Sequence, residues 1–302
     1  MAGVIRDRRG YANARPDPAW PNGARVAVNF AINIEEGSEY CAENGDPITD
    51  WSLSEAVGID VGITGRDLAA ESMYDYGSRV GIWRLLRVFA DRDMPFTAFA
   101  CAQALEKTPE IARAIADSGA DLCCHGWRWV KHWTLTESEE RDHIARAVES
   151  LKRTVGAAPT GWTCRYGPSV NTRRLLVEHG GFLYDSDAYD DELPYWTRVS
   201  DQPHLIVPYS LVTNDCKLAP GTINTAGEFF TLLRDAFDWL HAEGKHQPGM
   251  MSIGVHPRMI GHAARIGGLA RFLDHVAAHG DSVWVTGREA IARHWMARFP
   301  AP

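Results

Sequence analysis

Short apolar runs alternate with amphipathic helical segments along this chain, and that alternation admits few folds. Parallel strands cannot be joined by tight turns; each needs a crossover, usually a helix packed on the sheet. Val26–Ile34 opens the series as an apolar run that stops on Glu35-Glu36-Gly37. Val80, Ile82, Trp83, Leu85, Leu86 and Phe89 carry helical spacing, and Pro95–Ala100 reads as the next strand. Thr108-Pro109 is an N-cap followed by proline at the first helical position, with Gly119 closing that helix. Asp121–Cys124 follows as a short strand ending on His125. Thr136-Glu-Ser-Glu139 matches a capping box, and Ile144, Val148, Leu151 and Val155 share one face of the helix it opens, which Gly156 caps. A further short strand leads into Arg165-Tyr166, a helix ends at Gly180, and Leu205–Val207 is a minor strand. Phe229–Leu240 is amphipathic, and Met250–Val255 is a strand ending on His256. Helix Leu269–Ala278, strand Val283–Val285 and helix Glu289–Arg298 finish the series.

About seven strand–helix units with no composition break predict one α/β domain over residues 1–302, a closed or nearly closed parallel barrel rather than an open doubly wound sheet. Residues 1–22 are expected to form an extended N-terminal arm, since Pro16, Pro18 and Pro21 each lack a backbone donor. Glu39–Leu68 has no period and reads as a long excursion, of the kind that is functional or disordered. No G-x-G-x-x-G opens the first unit and no G-x-x-x-x-G-K-[ST] occurs, so nucleotide binding has no local support.

Composition narrows the partners. The 31 Lys+Arg against 39 Asp+Glu leave a net charge of −8, the wrong sign for gripping phosphates. No run approaches the roughly 20 apolar residues of a membrane span, and residues 1–21 lack the apolar core of a secretory signal. The six cysteines, Cys41, Cys101, Cys123, Cys124, Cys164 and Cys216, show no C-x-x-C spacing and are expected as free thiols in a reducing cytoplasm. Cys123 and Cys124 point to opposite sides of a strand and have no base at a telling spacing; packing is their expected role. No G-x-S-x-G elbow is present.

In parallel barrels the chemistry gathers where strands meet the loops at their C-terminal ends. There this chain places Glu35-Glu36, His125, Arg165-Tyr166 and His256. Each alone is readily structural; four strands delivering such groups to one rim read as a site. His125-Gly-Trp127-Arg-Trp129 and Lys131-His132-Trp133 crowd indoles and imidazoles after one strand, and such residues line ligand pockets. Tyr184-Asp185-Ser-Asp187 and Asp190-Asp191 add carboxylates near another.

On the blocks Asn33-Ile-Glu-Glu-Gly37, Glu71-Ser-Met-Tyr-Asp-Tyr-Gly-Ser-Arg79, Cys124-His-Gly-Trp-Arg-Trp129, Tyr184-Asp-Ser-Asp187 with Leu193-Pro-Tyr-Trp196, and His256-Pro-Arg-Met-Ile-Gly261, the chain resembles the polysaccharide deacetylase (NodB-like) superfamily. Within it the similarity is to the cofactor-independent allantoinase branch, and it covers nearly the whole chain. The resemblance implies a distorted seven-stranded (β/α) barrel. Metal-dependent members begin with an Asp-Asp pair, one base and one ligand, and hold the metal with H-x-x-x-H. Here the acidic pair is Glu35-Glu36, the first histidine is His125, and the fourth residue on is Trp129, whose indole N–H only donates. A three-ligand zinc site is reduced to Glu36 and His125, unless the His132 loop bends back. The resemblance therefore implies no metal and no cofactor, zinc being the alternative. Pro257 and His262 depart from the branch, where cysteine and arginine are usual.

The implied activity is a metal-independent hydrolase that opens a cyclic amide, allantoin to allantoate in purine catabolism. Cyclic imide hydrolysis and metal-dependent deacetylation of an N-acetyl glycan or peptidoglycan are the alternatives. Glu36 and His125 are expected to hold and activate water, Glu35 is the other candidate base, and His256 is expected to protonate the leaving nitrogen. Trp129 and Arg165 are assigned to the carbonyl oxygen or the ureido group, and Tyr166, Asp185, Asp187 and Arg258 complete the expected substrate-binding set. The expected partner is a small cyclic ureide or imide, with no nucleic acid and no membrane, and the protein is expected to be a cytoplasmic homo-oligomer.

Overall fold

The computed structural model describes residues 6–56 and 63–302. Its strands are β1 (Val26–Ile34), β2 (Thr97–Ala100), β3 (Asp121–Cys124), β4 (Gly161–Trp162), β5 (Tyr184–Asp185), β6 (Tyr195–Val199), β7 (Gln202–Ile206), β8 (Gly249–Val255) and β9 (Val283–Val285). They form one sheet in the order β6-β7-β5-β4-β3-β2-β1-β8, and β9 pairs the stretch of β1 that β2 does not reach. Every pairing is parallel except the β6–β7 hairpin. The α/β class and the curled, parallel-rich sheet match the expectation. The strand count differs, nine in place of seven, and among the described residues no ladder joins β6 to β8. The hairpin has no helix between its strands, and β6 is only half buried, so it lacks the apolar run that marks the others.

The helices are α1 (Leu68–Tyr76), α2 (Ile82–Ala90), α3 (Ala102–Lys107), α4 (Pro109–Ser118), α5 (Glu137–Thr154), α6 (Thr172–His179), α7 (Ala226–Glu243), α8 (Ala263–Ala277) and α9 (Arg288–Arg298). A π-helical turn, Gly77–Gly81, joins α1 to α2. The Thr136–Glu139 capping box forms in full at α5, and a second, Thr225–Glu228, starts α7. Each satisfies two of the amide N–H groups that a helix start leaves without partners.

Alternation along the strands sorts the core into two faces. Val26, Val28, Phe30, Ile32 and Ile34 of β1 pack outward with Leu85, Phe89, Phe272 and Leu273 of the helices. Ala27 and Ala31 point to the concave side, where they join Phe99, Cys123, Tyr184, Leu205 and Met250. Residues 6–22 do not hang free. Trp20 is 1% exposed, donates its indole N–H to the Gly249 carbonyl at 2.9 Å and packs on Trp284 and Trp295. That pins the arm under the N-terminal ends of β8 and β9; its first five residues lie outside the described ones. Within residues 39–67 the described residues form one 3-10 turn, Ala42–Asn44, and residues 57–62 lie outside them. No described helix is long and apolar enough to cross a membrane, and all six cysteines are free.

Candidate active site

The same alternation delivers the site. Concave positions 27, 29, 31 and 33 of β1 lead to Glu35, Cys123 of β3 leads to His125, and Ser252 and Gly254 of β8 lead to His256. These three residues meet at one end of the sheet, each at most 5% exposed. Glu35 Oε1 lies 2.9 Å from His125 Nε2 and 3.6 Å from His256 Nε2, and Arg258 donates to Glu35 Oε2 at 2.6 Å. His125 Nδ1 sits 3.1 Å from the Thr163 carbonyl, which can only accept, so Nδ1 carries a proton. A second proton must then lie between Nε2 and Glu35, or the two lone pairs would face each other.

Charge is shared unequally. Burial works against an ionised Glu35, yet Arg258, His256 and the His125 hydrogen bond hold its carboxyl well below the usual range. Burial likewise disfavours a charged His256, but the carboxylates of Asp215 and Glu35 reverse this and push it up to about 9. His256 Nδ1 donates to Asp215 Oδ1 at 2.6 Å, and Asp215 Oδ2 accepts from the amides of His256 and Ile260. Asp215 therefore fixes the ring's orientation and leaves Nε2 toward Glu35. At neutral pH the arrangement is a carboxylate facing an imidazolium.

Glu36 lies apart from the histidines. Its Oε1 accepts from the backbone N–H and the guanidinium of Arg258, at 3.3 and 3.2 Å, and burial raises its carboxyl despite that cation. It rests on the π-helical turn: a Cβ on Gly77 would stand 2.3 Å from Glu36 Oε1, and one on Gly81 2.1 Å from the Pro257 carbonyl. The second approach is to backbone, which only glycine permits, and the first could be relieved only by moving the Glu36 side chain. The His125 partner is thus Glu35, where the sequence suggested Glu36.

Of the expected substrate-binding residues, Trp129 and Arg165 stand beside the cluster. Two guanidinium groups lie over the Trp129 ring, Arg165 at 3.7 Å and Arg258 at 4.9 Å from its centre. Arg165 is ion-paired with Asp50 of the long excursion and donates to the Trp129 carbonyl. Tyr166 is 69% exposed, on the surface beside Tyr189 and Trp133. Asp187 accepts from the Cys164 amide and the Thr163 hydroxyl, one layer behind His125. Asp185 bonds no member of the cluster. Its position in β5 alternates with the concave Tyr184, and its carboxylate is taken by Arg173 and His204. Sequence reasoning missed Asp215 and Asp50, which come from segments without a period, and the two π-turn glycines, which stood unread in the Glu71–Arg79 block and just beyond it.

The donor set does not fit a zinc ion. Arg258 already bonds both carboxylates, both nitrogens of His125 are engaged, and Trp129 has no lone pair to offer. His132 does not complete it: fully buried, it bonds Glu140 at 3.2 Å and packs against His143 and Trp162.

Comparison with known proteins agrees with this architecture. A family model described as polysaccharide deacetylase matches residues 64–183. A curated relative from Schizosaccharomyces pombe, described as a putative polysaccharide deacetylase, is 36% identical over 98% of both chains. A solved structure of a probable polysaccharide deacetylase from Pseudomonas aeruginosa is 44% identical, with a TM-score of 0.94 over 99% of this chain and all of the other. A solved PuuE allantoinase is 43% identical, also with a TM-score of 0.94, over 99% of this chain and 100% of its own.

Proposed function

This chain belongs to the polysaccharide deacetylase family, a family of hydrolases acting on C–N bonds, and we propose that within it the protein opens a cyclic amide, allantoin, without a metal. One observation carries the reading: Glu35 Oε1 faces both imidazoles, His125 at 2.9 Å and His256 at 3.6 Å, while a guanidinium occupies its other oxygen. Hydrolysis of an amide needs a base for water, donors for the oxygen that becomes anionic, and an acid for the departing nitrogen. Glu35 takes the water proton as the new C–O bond forms. His125 turns its N–H toward the developing oxyanion. His256, an imidazolium held by Asp215, protonates the ring nitrogen as the C–N bond breaks and that bond's electron pair goes to nitrogen. Acid–base help of this kind is worth about 10²–10⁴-fold and one oxyanion donor about 10²–10³-fold. Arg258 serves Glu35 rather than the substrate, by keeping it ionised. Arg165, stacked on Trp129, supplies donors for the ureido tail. The similarity to an allantoinase supports the choice of ring.

The test is a substrate panel of allantoin, hydantoin, succinimide, dihydrouracil and N-acetylglucosamine oligomers. A site built to pair the ureido group leaves its own polar groups unpaired with plain rings, a penalty of about 10⁴-fold or more. Allantoin should therefore exceed hydantoin and succinimide in kcat/KM by several powers of ten. Comparable turnover of the plain imides would make the protein a cyclic imidase, and acetate release from the oligomers would make it a deacetylase.

A further inference from the structure

At the opposite end of the strands from Glu35, the last turns of α7 and α8 and the turn just after α8 bring together Asp238, His275 and His279. Their ligand atoms all lie within 4.8 Å of one another. Chain direction fixes the place: α7 ends shortly before β8 begins, and α8 carries the chain from the end of β8 back to the start of β9. Both helix C-termini therefore lie at the N-terminal ends of the strands.

Three features distinguish this group from chance surface neighbours. His275 lies in the last turn of α8 and His279 two residues past its end, where the backbone is still near-helical (φ −88°, ψ −7°), so the two rings stay neighbours, 5.0 Å apart. His279 Nδ1 donates to the His275 carbonyl at 2.9 Å, which fixes the tautomer and leaves the Nε2 lone pair free. Metal-bound imidazoles use the same arrangement, one nitrogen on a carbonyl or carboxylate and the other on the ion. Asp238 Oδ1 already lies 2.7 Å from His275 Nε2. Ligands at about 2.0–2.1 Å around a tetrahedral ion stand about 3.3 Å apart, so admitting one opens this pair by well under an ångström. The Phe237 ring packs on both histidines, at 5.5 and 4.9 Å, and limits their rotamers. Asp238 and His275 keep 48% and 26% of their side chains exposed, enough for an ion to enter with a water still attached. His241 stands beside the group, its ring 4.8 Å from that of His279, with Nε2 committed to the Ser282 hydroxyl at 2.9 Å.

We propose that Asp238, His275 and His279 bind one zinc ion, with water in the fourth position, tying α7 to α8. Two imidazoles and a carboxylate suit zinc, whereas calcium and magnesium call for oxygen ligands. The site is peripheral to the catalytic cluster, so the inference is independent of the substrate assignment and its test does not read activity.

Full-length protein is stripped with chelator, dialysed and titrated with zinc chloride against a chromophoric zinc indicator. Wild type, Asp238→Asn, His275→Gln, His279→Gln and His241→Gln are compared. One zinc per chain should bind to the wild type, at least about tenfold more weakly to each of the three ligand variants, and within about threefold of wild type to His241→Gln. Zinc in excess should raise the melting temperature of the wild type and of His241→Gln by several degrees, and leave the ligand variants unmoved. Equal zinc binding by the double variant His275→Gln/His279→Gln, or none by the wild type at about 100 μM zinc, overturns the proposal.

Discussion

Two arginines are buried on the concave face of one sheet, and they meet different partners. Arg288, fully buried, donates to Asn29, Ser252 and Ser186 side chains and to the carbonyls of Val207 and Pro208, all neutral. Arg258, 2% exposed, donates to Glu35, Glu36 and the Leu53 carbonyl and lies over the rings of Tyr74 and Trp129. Burial alone therefore does not mark a functional charge. Dipoles spread around Arg288 hold its charge and fill the middle of the curl. Carboxylates around Arg258 share its charge, and the two histidines add to it at Glu35 alone, which holds that carboxyl the lower of the two.

Exchanging the two arginines for methionine should separate these roles. Arg258→Met should lower kcat by about 10²-fold, the scale of lost acid–base catalysis. It should also move the acid limb of the pH–rate profile upward, because Glu35 loses the cation that holds its carboxyl low. Arg288→Met should keep turnover per folded molecule within about threefold but lower stability, since each buried acceptor it leaves unpaired costs about 1–3 kcal/mol. Stopped assays beside denaturant melts read both. If Arg288→Met lost activity without losing stability, the division between the two would fail.

A smaller effect sharpens the electrostatic side. His256 is raised to about 9, above its unfolded value, so it is protonated at neutral pH and its acid function is lost as pH rises through that value. The rate should halve near pH 9. Stability from the same ion pairs, complete below about 6.5, should decline over that window. His256→Gln should remove the basic limb from what activity remains; a limb that persists there belongs to another group.

Much of this was legible in the residues because the signals were local. β1 runs from Val26 to Ile34 as its apolar stretch does, and Thr136 with Glu139 makes the capping box its spacing announces. His125 and His256 stand at strand ends, where alternation sends both to one side. What stayed hidden depended on distant partners. Glu35 and Glu36 are neighbours at a strand terminus, and only the fold shows which one alternation turns toward the histidines. Asp185 looked like a rim carboxylate, but β5 spans only Tyr184–Asp185, too short for its inward face to be read. Asp215 reaches His256 across 41 residues from the start of a short 3-10 turn, Asp215–Leu218, which no periodicity marks.

In the proposed reaction Glu35 and the two histidines do the work that a metal does in other branches. The most direct test is allantoin hydrolysis by chelator-stripped protein, wild type and Glu35→Gln side by side. Stripped wild type should keep full turnover while Glu35→Gln loses about 10²–10⁴-fold. Turnover that disappears on stripping and returns with zinc, or a Glu35→Gln protein as active as wild type, would contradict it.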